Sequence, residues 1–375
     1  MSAGGLVVPE TERGVGTTGQ PRLRVAIVGA TGYVGAELVR LLDRHPAVEV
    51  VGLLGRDRTD VPVGQVHPHL ATTGLAVDSA VADSDAVFLA LPHGIAAGLV
   101  PDWLARGTSV IDLGPDFRLR DPADYPRWYG FEHPRPDLLT TAVYGLPELH
   151  RAELAASRAG GDRPGLVGAP GCYPTATLLA LAPLARAGLI GDLVVDAKSG
   201  VSGAGRETKA DLMFGEVNES VRAYGVGGHR HVAEIEQELA RLGPVSAPGA
   251  DAANPGATAI DFLPHLIPMS RGILASCHVR PTRPVDQAEL DALYAAAYDD
   301  ELFVHVVDAP PATKHVTGSN HARIHVRFDE RTGRILVLGV IDNLVKGAAG
   351  QAIQAFNVLF GLAEEAGLEQ LPLAP

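Results

Sequence analysis

The chain has 375 residues and a formal net charge of −13, with 46% hydrophobic and 20% charged side chains. This length exceeds what one ordinary hydrophobic core supports, so two domains of a water-soluble protein are expected. The acidic balance argues against nucleic acid as the main partner, no run of about 18 apolar residues predicts a membrane span, and two cysteines are typical of a reducing cytoplasm.

Short apolar strands alternate with amphipathic helices through the first half of the chain. Before them, residues 1–21 lack the basic and apolar pattern of a secretory signal and predict a disordered extension. Strands are predicted over 23–28, 48–54, 86–91 and 109–113, with helices over 33–45 and 94–105. This alternation is typical of an α/β fold with a Rossmann-type, doubly wound parallel sheet, which we assign to residues 22–170.

The spacing of the elements changes after residue 171. Strand patterns become longer and lie closer together, over 193–197, 273–280, 322–328 and 335–341, and helices are predicted over 231–241 and 287–298. We therefore assign residues 171–342 to a second, α+β domain with a mixed sheet. A last helix over 343–362 opens the segment 343–375, which is expected to return to the first domain.

A glycine-rich turn joins the first predicted strand to the first helix. Gly29, Gly32 and Gly35 form the pattern G-x-x-G-x-x-G, which differs from the usual G-x-G-x-x-G. Glycines allow the backbone to approach a pyrophosphate, and the beginning of a helix attracts its negative charge. A tight turn of small residues is the alternative. The position in the chain favours a dinucleotide site that contains Gly29, Thr31, Gly32, Tyr33, Val34 and Gly35.

The end of the second strand indicates which dinucleotide is bound. NAD-binding sites place an acidic residue there for the ribose hydroxyls. Here Arg56 comes first, and Glu49 lies at the beginning of the strand, too far back. A guanidinium suits a 2′-phosphate, so NADP is preferred over NAD. A solvated loop residue is the alternative role for Arg56.

Cys172 lies between an apolar strand and the next helix. It stands in the sequence Gly-Ala-Pro-Gly-Cys-Tyr-Pro-Thr, residues 168–175. The apolar spacing that follows predicts a helix over 175–187, and Pro174, directly before it, is well placed as the first helical residue. The positive end of that helix is expected to lower the pKa of the thiol and to favour the nucleophilic thiolate. A buried core cysteine is the alternative, against which the flanking glycines and prolines argue. Cys277, in an alternating run, is interpreted as an inert strand residue.

Further motifs occur in order along the chain. They are HPHL (67–70), LPHG (91–94), DLGPDFRL (112–119), YGLPE (144–148), SGVSGAGR (199–206), HRH (229–231), TKHVTGSN (313–320) and IDNLVKG (341–347). With the glycine turn and the cysteine, this set resembles the N-acetyl-γ-glutamyl-phosphate reductases, the arginine-biosynthetic family of the semialdehyde dehydrogenase superfamily. The resemblance extends from about residue 22 to residue 361. It departs at Leu54-Gly55-Arg56, where hydroxyl residues before the arginine are commoner in the family.

The resemblance implies a reaction. N-acetyl-γ-glutamyl phosphate and NADPH would give N-acetylglutamate 5-semialdehyde, phosphate and NADP⁺. Cys172 would displace the phosphate to form a thioester, hydride would reduce the thioester, and a histidine would supply the proton on collapse. The resemblance also makes 171–342 the domain of catalysis and dimerisation. The resemblance further implies that the cofactor contacts Pro92, His93, Gly94, Ser199, Gly200 and Asn343, with Asn343 near the nicotinamide carboxamide.

Two histidines compete for the role of acid and base. His229 and His231 are two residues apart in a loop, so both rings are expected to reach the site. His231 is preferred because Glu234, three residues on, would orient its ring, and His229 would then contact the substrate. Loop histidines exposed to solvent are the alternative. No Cys, Asp or Glu set at ligand spacing joins the pair, so no metal is expected.

Two arginines are candidates for the anionic groups of the substrate. Arg118 follows a predicted strand and is expected to bind the phosphate, whereas Arg206 follows a glycine-rich turn and is expected to bind the α-carboxylate. A guanidinium offers two parallel hydrogen bonds to either group. Surface salt bridges are the alternative for both residues.

Three other functions are compatible with these motifs. Two are reductions of related acyl phosphates, aspartyl phosphate or the longer N-acetyl-aminoadipyl phosphate. The third is a dinucleotide-sensing regulator that catalyses no reaction, but such a protein would not require the thiol of Cys172 or the imidazole of His231. The expected partner is a small-molecule acyl phosphate rather than nucleic acid or a membrane, and the expected assembly is a cytoplasmic homodimer or homotetramer.

Overall fold

Two β-sheets organise the protein, a parallel sheet formed before Cys172 and a mixed sheet formed after it. The computed structural model describes residues 22–56, 59–158, 164–243 and 259–373. The extension expected over 1–21 lies outside the described residues. The two sheets confirm the predicted class, a Rossmann-type half followed by an α+β half.

The N-terminal half forms a doubly wound sheet. Its strands are β1 (Leu23–Val28), β2 (Val48–Leu54), β3 (Val61–Pro62), β4 (Ala76–Val77), β5 (Ala86–Leu89), β6 (Ser109–Asp112), β7 (Val143–Tyr144) and β8 (Leu166–Gly168). Its helices are α1 (Tyr33–Leu42), α2 (Val63–Val66), α3 (Ala96–Ala105), α4 (Asp124–Tyr129), α5 (Pro136–Leu139) and α6 (Pro147–Ala156). Six strands pair in parallel in the order β2-β1-β5-β6-β8-β7, and β3 and β4 form a separate antiparallel pair. From β1 the chain continues to β2 on one side and then to β5 on the other, so the strand order reverses beside β1. The carboxyl end of β1 therefore borders the crevice where such sheets bind ligands.

The C-terminal half forms the mixed sheet. Its strands are β9 (Ile190–Gly200), β10 (Arg222–Ala223), β11 (Asp261–Ile267), β12 (Ile273–Pro281), β13 (Val304–Val306), β14 (Ala322–Asp329) and β15 (Arg334–Ile341). Its helices are α7 (Cys172–Arg186), α8 (Phe214–Val217), α9 (His231–Leu242), α10 (Gln287–Tyr298) and α11 (Gly350–Phe360). The strand order is β10-β11-β9-β12-β15-β14-β13, with β11–β9 and β13–β14 parallel and the other pairs antiparallel.

The two faces of this second sheet differ in burial. Val195, Ala275 and Val337 lie on the face that packs against α7 and belong to the core. Their neighbours along the strands, such as Ser276 and Leu338, are half-buried on the opposite face. The alternation of side chains along each strand therefore leaves one face of the sheet partly open.

Helix α7 begins at Cys172, three residues before the predicted start at Thr175. Gly171, with φ −69° and ψ 157°, is its N-cap residue, so Pro174 is the third residue of the helix rather than the first. Proline fits there because the N–H groups of a first turn have no partner within the helix. The candidate nucleophile therefore belongs to the first turn of a helix that is buried along most of its length.

The C-terminal segment forms a π-helical turn, Val345–Ala349, followed by α11, instead of one continuous helix from Asn343. Oδ1 of Asp342 accepts hydrogen bonds from the backbone N–H groups that follow it, those of Leu344 at 2.8 Å and Val345 at 3.1 Å. Helix α11 then packs against α6 and α1, in the same core cluster as β1. The end of the chain thus returns to the first sheet.

Candidate active site

A cavity of about 410 Å³ opens at the beginning of α7. Cys172 lies half-buried on its wall, together with Tyr173 and Ser199. His93 and Arg118 reach the same cavity from the N-terminal half. The structure therefore places the candidate nucleophile where both halves of the protein meet.

The thiol of Cys172 is protonated at neutral pH. Burial raises its pKa to about 11, while the guanidinium of Arg118 and the backbone of Tyr173 act in the opposite direction. The favourable groups at the helix start are present, but the loss of hydration outweighs them. The sequence-based expectation of a lowered pKa is therefore wrong, and a neighbouring base has to take up the proton when the thiol reacts.

His229 and His231 lie side by side on the cavity wall. Their ring centroids are 4.8 Å apart, and the backbone N–H of His231 donates to Nδ1 of His229 over 3.2 Å. Nε2 of His231 lies against Gly171, since a Cβ on that glycine would be 2.5 Å from it. Burial lowers the pKa of His229 to about 4 and holds that of His231 well below its ordinary value, so both rings are neutral at pH 7.

Glu234 does not orient His231, although that role was the reason for preferring this histidine. Oε1 of Glu234 accepts hydrogen bonds from the backbone N–H of Gly171 at 2.8 Å and from the hydroxyl of Tyr144 at 2.7 Å. Glu234 lies in the first turn of α9 with His231, but its buried side chain reaches Tyr144 and the loop before Cys172 instead. His231 remains the preferred candidate because its Nε2 lies against Gly171.

Arg118 lines the cavity, but the protein uses much of its guanidinium. Nε donates to the carbonyl oxygen of Ala169 and Nη2 to that of Leu113, each over 2.7 Å. Nη1 lies 3.5 Å from Oε2 of Glu234. Beside this ion pair, Nη1 can offer a phosphate a single hydrogen bond rather than the two parallel bonds that the sequence suggested.

Arg206 lies beside the glycine turn and is not part of the cavity wall. Nη1 donates to the carbonyl oxygen of Thr31 over 2.8 Å, and Nη2 donates to that of Val66 over 3.0 Å. Both terminal nitrogens therefore tie the segment after β9 to the N-terminal half. The structure does not bring Arg206 to the cavity where it was expected to bind a substrate carboxylate, because the sequence pattern does not show where a side chain on an irregular segment points.

The backbone of the glycine turn fits a dinucleotide. Gly29 has a left-handed φ of +93°, and a Cβ there would lie 2.2 Å from the carbonyl oxygen of Ala90. A Cβ on Gly35 would lie 2.3 Å from the oxygen of Gly29. Gly32 caps α1 without a side-chain hydrogen bond, so N–H groups of the first turn are left for a pyrophosphate. The same turn contains Thr31, Tyr33 and Val34.

Two further segments lie at the carboxyl ends of strands in the first sheet. Arg56, just after β2, is 65% exposed and lies 3.9 Å from the carboxylate of Glu207. After β5, the backbone N–H of Gly94 donates to Asp116 over 2.8 Å, and Nδ1 of His93 lies 3.0 Å from Nη1 of Arg230. These positions leave Arg56 accessible to an anion and keep the segment 92–94, which begins with Pro92, at the cavity edge.

Asn343 connects two loops and does not cap a helix. Oδ1 accepts a hydrogen bond from the backbone N–H of Gly272 at 2.7 Å, and Nδ2 donates to Oγ of Ser202 at 2.9 Å. Ser199, on the cavity wall, donates from Oγ to the carbonyl oxygen of Gly200 at 3.0 Å. Ser199, Gly200 and Asn343, each implied as a cofactor contact, are thus neighbours at one end of the cavity.

Sequence reasoning missed several polar residues of the cavity wall. They are Lys209, Asp211, Arg222, Tyr224 and Arg230. Most of them belong to the irregular stretch between β9 and α9, which has no periodic pattern from which to predict their direction. Arg230 had a usable signal, because it stands between His229 and His231 in the sequence.

Residues 22–56, 59–158, 164–243 and 259–373 contain neither a metal site nor a membrane-spanning helix. Within them, no three His, Cys, Asp or Glu side chains are grouped as a metal site requires. No helix among these residues is long and apolar enough to span a bilayer. Cys277 is a free, buried thiol in β12, and burial raises its pKa to about 12.

The fold and the order of the two halves define the class of protein. Residues 24–157 match the family model of the semialdehyde dehydrogenase NAD binding domain, and residues 172–343 match that of the semialdehyde dehydrogenase dimerisation domain. Aspartate semialdehyde dehydrogenase II from Vibrio cholerae superposes with a TM-score of 0.65 at 19% identity, over 91% of this chain and 99% of that one. The enzyme with NADP from Candida albicans superposes with a TM-score of 0.65 at 17% identity, over 92% and 99%. The fold is that of a semialdehyde dehydrogenase, with a domain for a nicotinamide dinucleotide.

Curated relatives are closer in sequence. The N-acetyl-gamma-glutamyl-phosphate reductase of Heliobacterium modesticaldum is 49% identical over 369 residues, 94% of this chain and 100% of the relative. Those of Desulforudis audaxviator and Halorhodospira halophila are 48% and 47% identical, over 92% and 94% of this chain and 98% and 100% of their own length. The chain belongs to the N-acetyl-gamma-glutamyl-phosphate reductase family, as its motifs predicted.

Proposed function

We propose that this protein uses NADPH to reduce N-acetyl-γ-glutamyl phosphate to N-acetylglutamate 5-semialdehyde, with release of phosphate, as a step of arginine biosynthesis. The observation that carries the proposal is the position of Cys172, at the start of α7 in a cavity that also contains His229 and His231. The substrate follows from the family, since relatives at 47–49% identity carry this activity in their names.

The first step is attack by Sγ of Cys172 on the acyl carbon. Because burial keeps the thiol protonated, a base is required, and we assign that role to His231, whose Nε2 lies against Gly171. The C–S bond forms as the bond to the phosphate oxygen breaks, which leaves a thioester and releases phosphate. A thiolate suits both halves of the reaction, as a strong nucleophile and an adequate leaving group.

The cofactor would be held by the turn 29–35, by the segment 92–94 and by the wall that contains Ser199, Gly200 and Asn343. When bound, NADPH supplies the hydride that reduces the thioester. The glycines allow the backbone close to the pyrophosphate, and the beginning of α1 faces its charge. Asn343 binds Gly272 through Oδ1 and Ser202 through one hydrogen of Nδ2, so the second hydrogen of Nδ2 would be the donor for the nicotinamide carboxamide.

In the second half of the reaction the protein stabilises one oxyanion and returns one proton. The N–H of Gly171 is bound by Glu234 and Pro174 has none, so the N–H groups of Cys172 and Tyr173 are those left at the helix start to stabilise the oxyanion. When the C–S bond breaks, its electron pair returns to Sγ. His231 then gives back the proton that it took up in the first step.

The substrate carries a phosphate and an α-carboxylate, and four cationic side chains line the cavity. They are Arg118, Lys209, Arg222 and Arg230. Arg222 donates to Asp211 over 2.9 Å, whereas Lys209 has no ion-pair partner among the described residues. We therefore assign the α-carboxylate to Lys209 in place of Arg206, the phosphate to Nη1 of Arg118, and a further substrate contact to His229.

A preference for NADP over NAD is proposed on the position of Arg56. Its ion pair with Glu207 is exposed and 3.9 Å long, and such pairs contribute little stability. A 2′-phosphate can therefore replace Glu207 beside the guanidinium at low cost. This supports the phosphate-bearing cofactor, although Leu54 and Gly55 differ from the residues that commonly precede this arginine in the family.

We also propose a cytoplasmic homodimer or homotetramer. The half-buried face of the second sheet, with residues such as Ser276 and Leu338, supports an interface between copies. The matching family model is that of a dimerisation domain. Two free thiols, Cys172 and Cys277, are compatible with a reducing compartment.

The proposal is tested by oxidation in the reverse direction. Purified protein is incubated with phosphate, NADP⁺ or NAD⁺, and the semialdehydes of N-acetylglutamate, aspartate and N-acetyl-aminoadipate. We expect the highest kcat/KM with N-acetylglutamate semialdehyde and NADP⁺, and no reaction without phosphate. A higher value with either other semialdehyde would overturn the substrate assignment, and no oxidation at all would favour a dinucleotide-sensing regulator.

A further inference from the structure

Glu234 and Arg118 form a buried ion pair beneath the residues that precede Cys172. Glu234 is 0% exposed and Arg118 9% exposed, with 3.5 Å between Oε2 and Nη1. A buried ion pair loses so much hydration that it is weak evidence for a stabilising role on its own. The other contacts of the pair indicate what it does.

Each member of the pair holds one end of the segment 169–171. Nε of Arg118 donates to the carbonyl oxygen of Ala169 over 2.7 Å, and the N–H of Gly171 donates to Oε1 of Glu234 over 2.8 Å. Both side chains are anchored in turn beside strands of the first sheet, Arg118 by the carbonyl of Leu113 and Glu234 by the hydroxyl of Tyr144. The loop is therefore fixed from both sides immediately before the nucleophile.

We propose that Arg118 and Glu234 act together as positioning residues, which hold the loop before Cys172 and place two opposite charges beside its thiol. The inference rests on the proposed function for the role of Cys172 as nucleophile. The two charges have opposite effects on ionisation of the thiol, because a cation favours the thiolate and an anion disfavours it.

The experiment removes one charge at a time and measures how fast iodoacetamide alkylates Cys172 as a function of pH, in a Cys277→Ala background. Glu234→Gln keeps the shape and an acceptor for Gly171 but leaves Arg118 unpaired, so the midpoint of the alkylation profile falls by about one pH unit. Arg118→Met raises the midpoint by a similar amount. In the reverse assay Arg118→Met also lowers kcat by about a hundredfold, since the reacting group is misplaced and the proposed phosphate contact is lost as well.

Two further variants keep the test decisive. Glu236→Gln is the matched control, because Glu236 lies on the same helix but accepts a hydrogen bond from the backbone N–H of Ile260, away from the segment 169–171. We expect this variant to keep the alkylation midpoint and the kcat of the parent protein. Arg118→Lys keeps the positive charge but loses the planar guanidinium with its several N–H donors. The midpoint of the alkylation profile therefore stays near the parent value while kcat falls. An unchanged midpoint in Glu234→Gln, or shifts of the same sign in Glu234→Gln and Arg118→Met, overturns the proposal. If the midpoints shift as stated and the parent protein oxidises no semialdehyde, the proposed function fails instead.

Discussion

Two physical effects oppose each other at the thiol of Cys172. A helix terminus favours an anion by roughly 0.3–1 kcal/mol at exposed sites. Burial, the largest influence here, takes the pKa from 9.0 to about 11, which corresponds to roughly 3 kcal/mol against the thiolate. Loss of hydration therefore decides the protonation state of the resting thiol, and the proposed mechanism requires a neutral histidine as its base.

The two cysteines are expected to respond differently to removal of the thiol. Cys172→Ala abolishes turnover and leaves NADPH binding intact, because Sγ is the acyl acceptor and not a cofactor contact. Cys277→Ala keeps nearly full activity and costs about 1 kcal/mol of stability at most, as expected for one sulfur lost from a packed strand. Steady-state rates, fluorescence titration of NADPH and urea unfolding provide the measurements. Turnover in Cys172→Ala would contradict the thioester mechanism.

The two histidines are expected to affect different kinetic constants. His231→Asn lowers kcat and changes its pH profile, since the ring nearest Gly171 takes up and returns the thiol proton. His229→Asn mainly raises KM for the semialdehyde. Both effects are measured from pH 5 to pH 9 in the reverse assay. If His229→Asn instead shows the larger loss of kcat, the two roles are exchanged.

At the scale of elements, backbone contacts at helix beginnings define the site. The turn before α1 packs against the end of β5, through Gly29 and Ala90. The π-helical turn before α11 packs against the start of α7, where a Cβ on Gly347 would lie 2.8 Å from Cβ of Cys172. One added methyl group at either place would push apart two elements beside the proposed cofactor site or the proposed nucleophile.

Gly29→Ala tests this packing. A left-handed φ costs a side chain about 1–2 kcal/mol, and the new Cβ also meets the oxygen of Ala90 at 2.2 Å, so stability falls further and NADPH affinity drops at least tenfold. Gly74→Ala is the matched control, with φ +71° and no atom within 4 Å of the new Cβ; it costs only the backbone strain. Urea unfolding and NADPH titration separate the two. Equal effects in both variants would show that the close approach at Gly29 is unimportant.

At the scale of the whole molecule, charged side chains join the two halves. Arg271, just before β12, contacts Glu37 on α1 and lies 3.5 Å from Asp342. Both carboxylates are almost fully buried. Burial opposes ionisation of Glu37, but Arg271 and Arg40 outweigh it and hold its pKa below the ordinary value. With the contact of Arg206 to the glycine turn, this contact fixes the C-terminal half against the N-terminal half.

Arg271→Met is therefore expected to destabilise the protein by about 3 kcal/mol at pH 7, because buried Glu37 keeps only Arg40 as a cationic partner and buried Asp342 loses Arg271. The stabilisation from a carboxylate with a lowered pKa is present above its unfolded pKa and is lost as pH falls, so the difference from the parent protein shrinks below about pH 4.5. Arg283→Met, which removes the exposed pair with Glu289, serves as control and costs less than about 1 kcal/mol. Urea unfolding at several pH values measures both. A loss for Arg271→Met that did not change with pH would contradict the assigned cause.

The agreement between sequence and structure depends on how local each signal is. Strands β1 and β2 and helix α10 have the predicted bounds, because apolar periodicity within the segment determines them. Strand β11 was missed since Pro264 interrupts its pattern, yet it pairs along its length with β9. The predicted start of α7 is three residues later than the observed start at Cys172, because Pro174 is equally compatible with the first or the third helical position.

By itself, the sequence determined the family, the two halves and the residues that carry reactive groups, since motifs and periodicity are local properties of the chain. Only the tertiary structure decided the states and partners of those groups. Whether Cys172 is ionised depends on burial, whether Glu234 serves His231 or Gly171 depends on which segments α9 packs beside, and whether Arg206 reaches substrate depends on the path of an irregular segment. Hydration and packing arise from contacts between residues far apart in the chain, which no local pattern specifies.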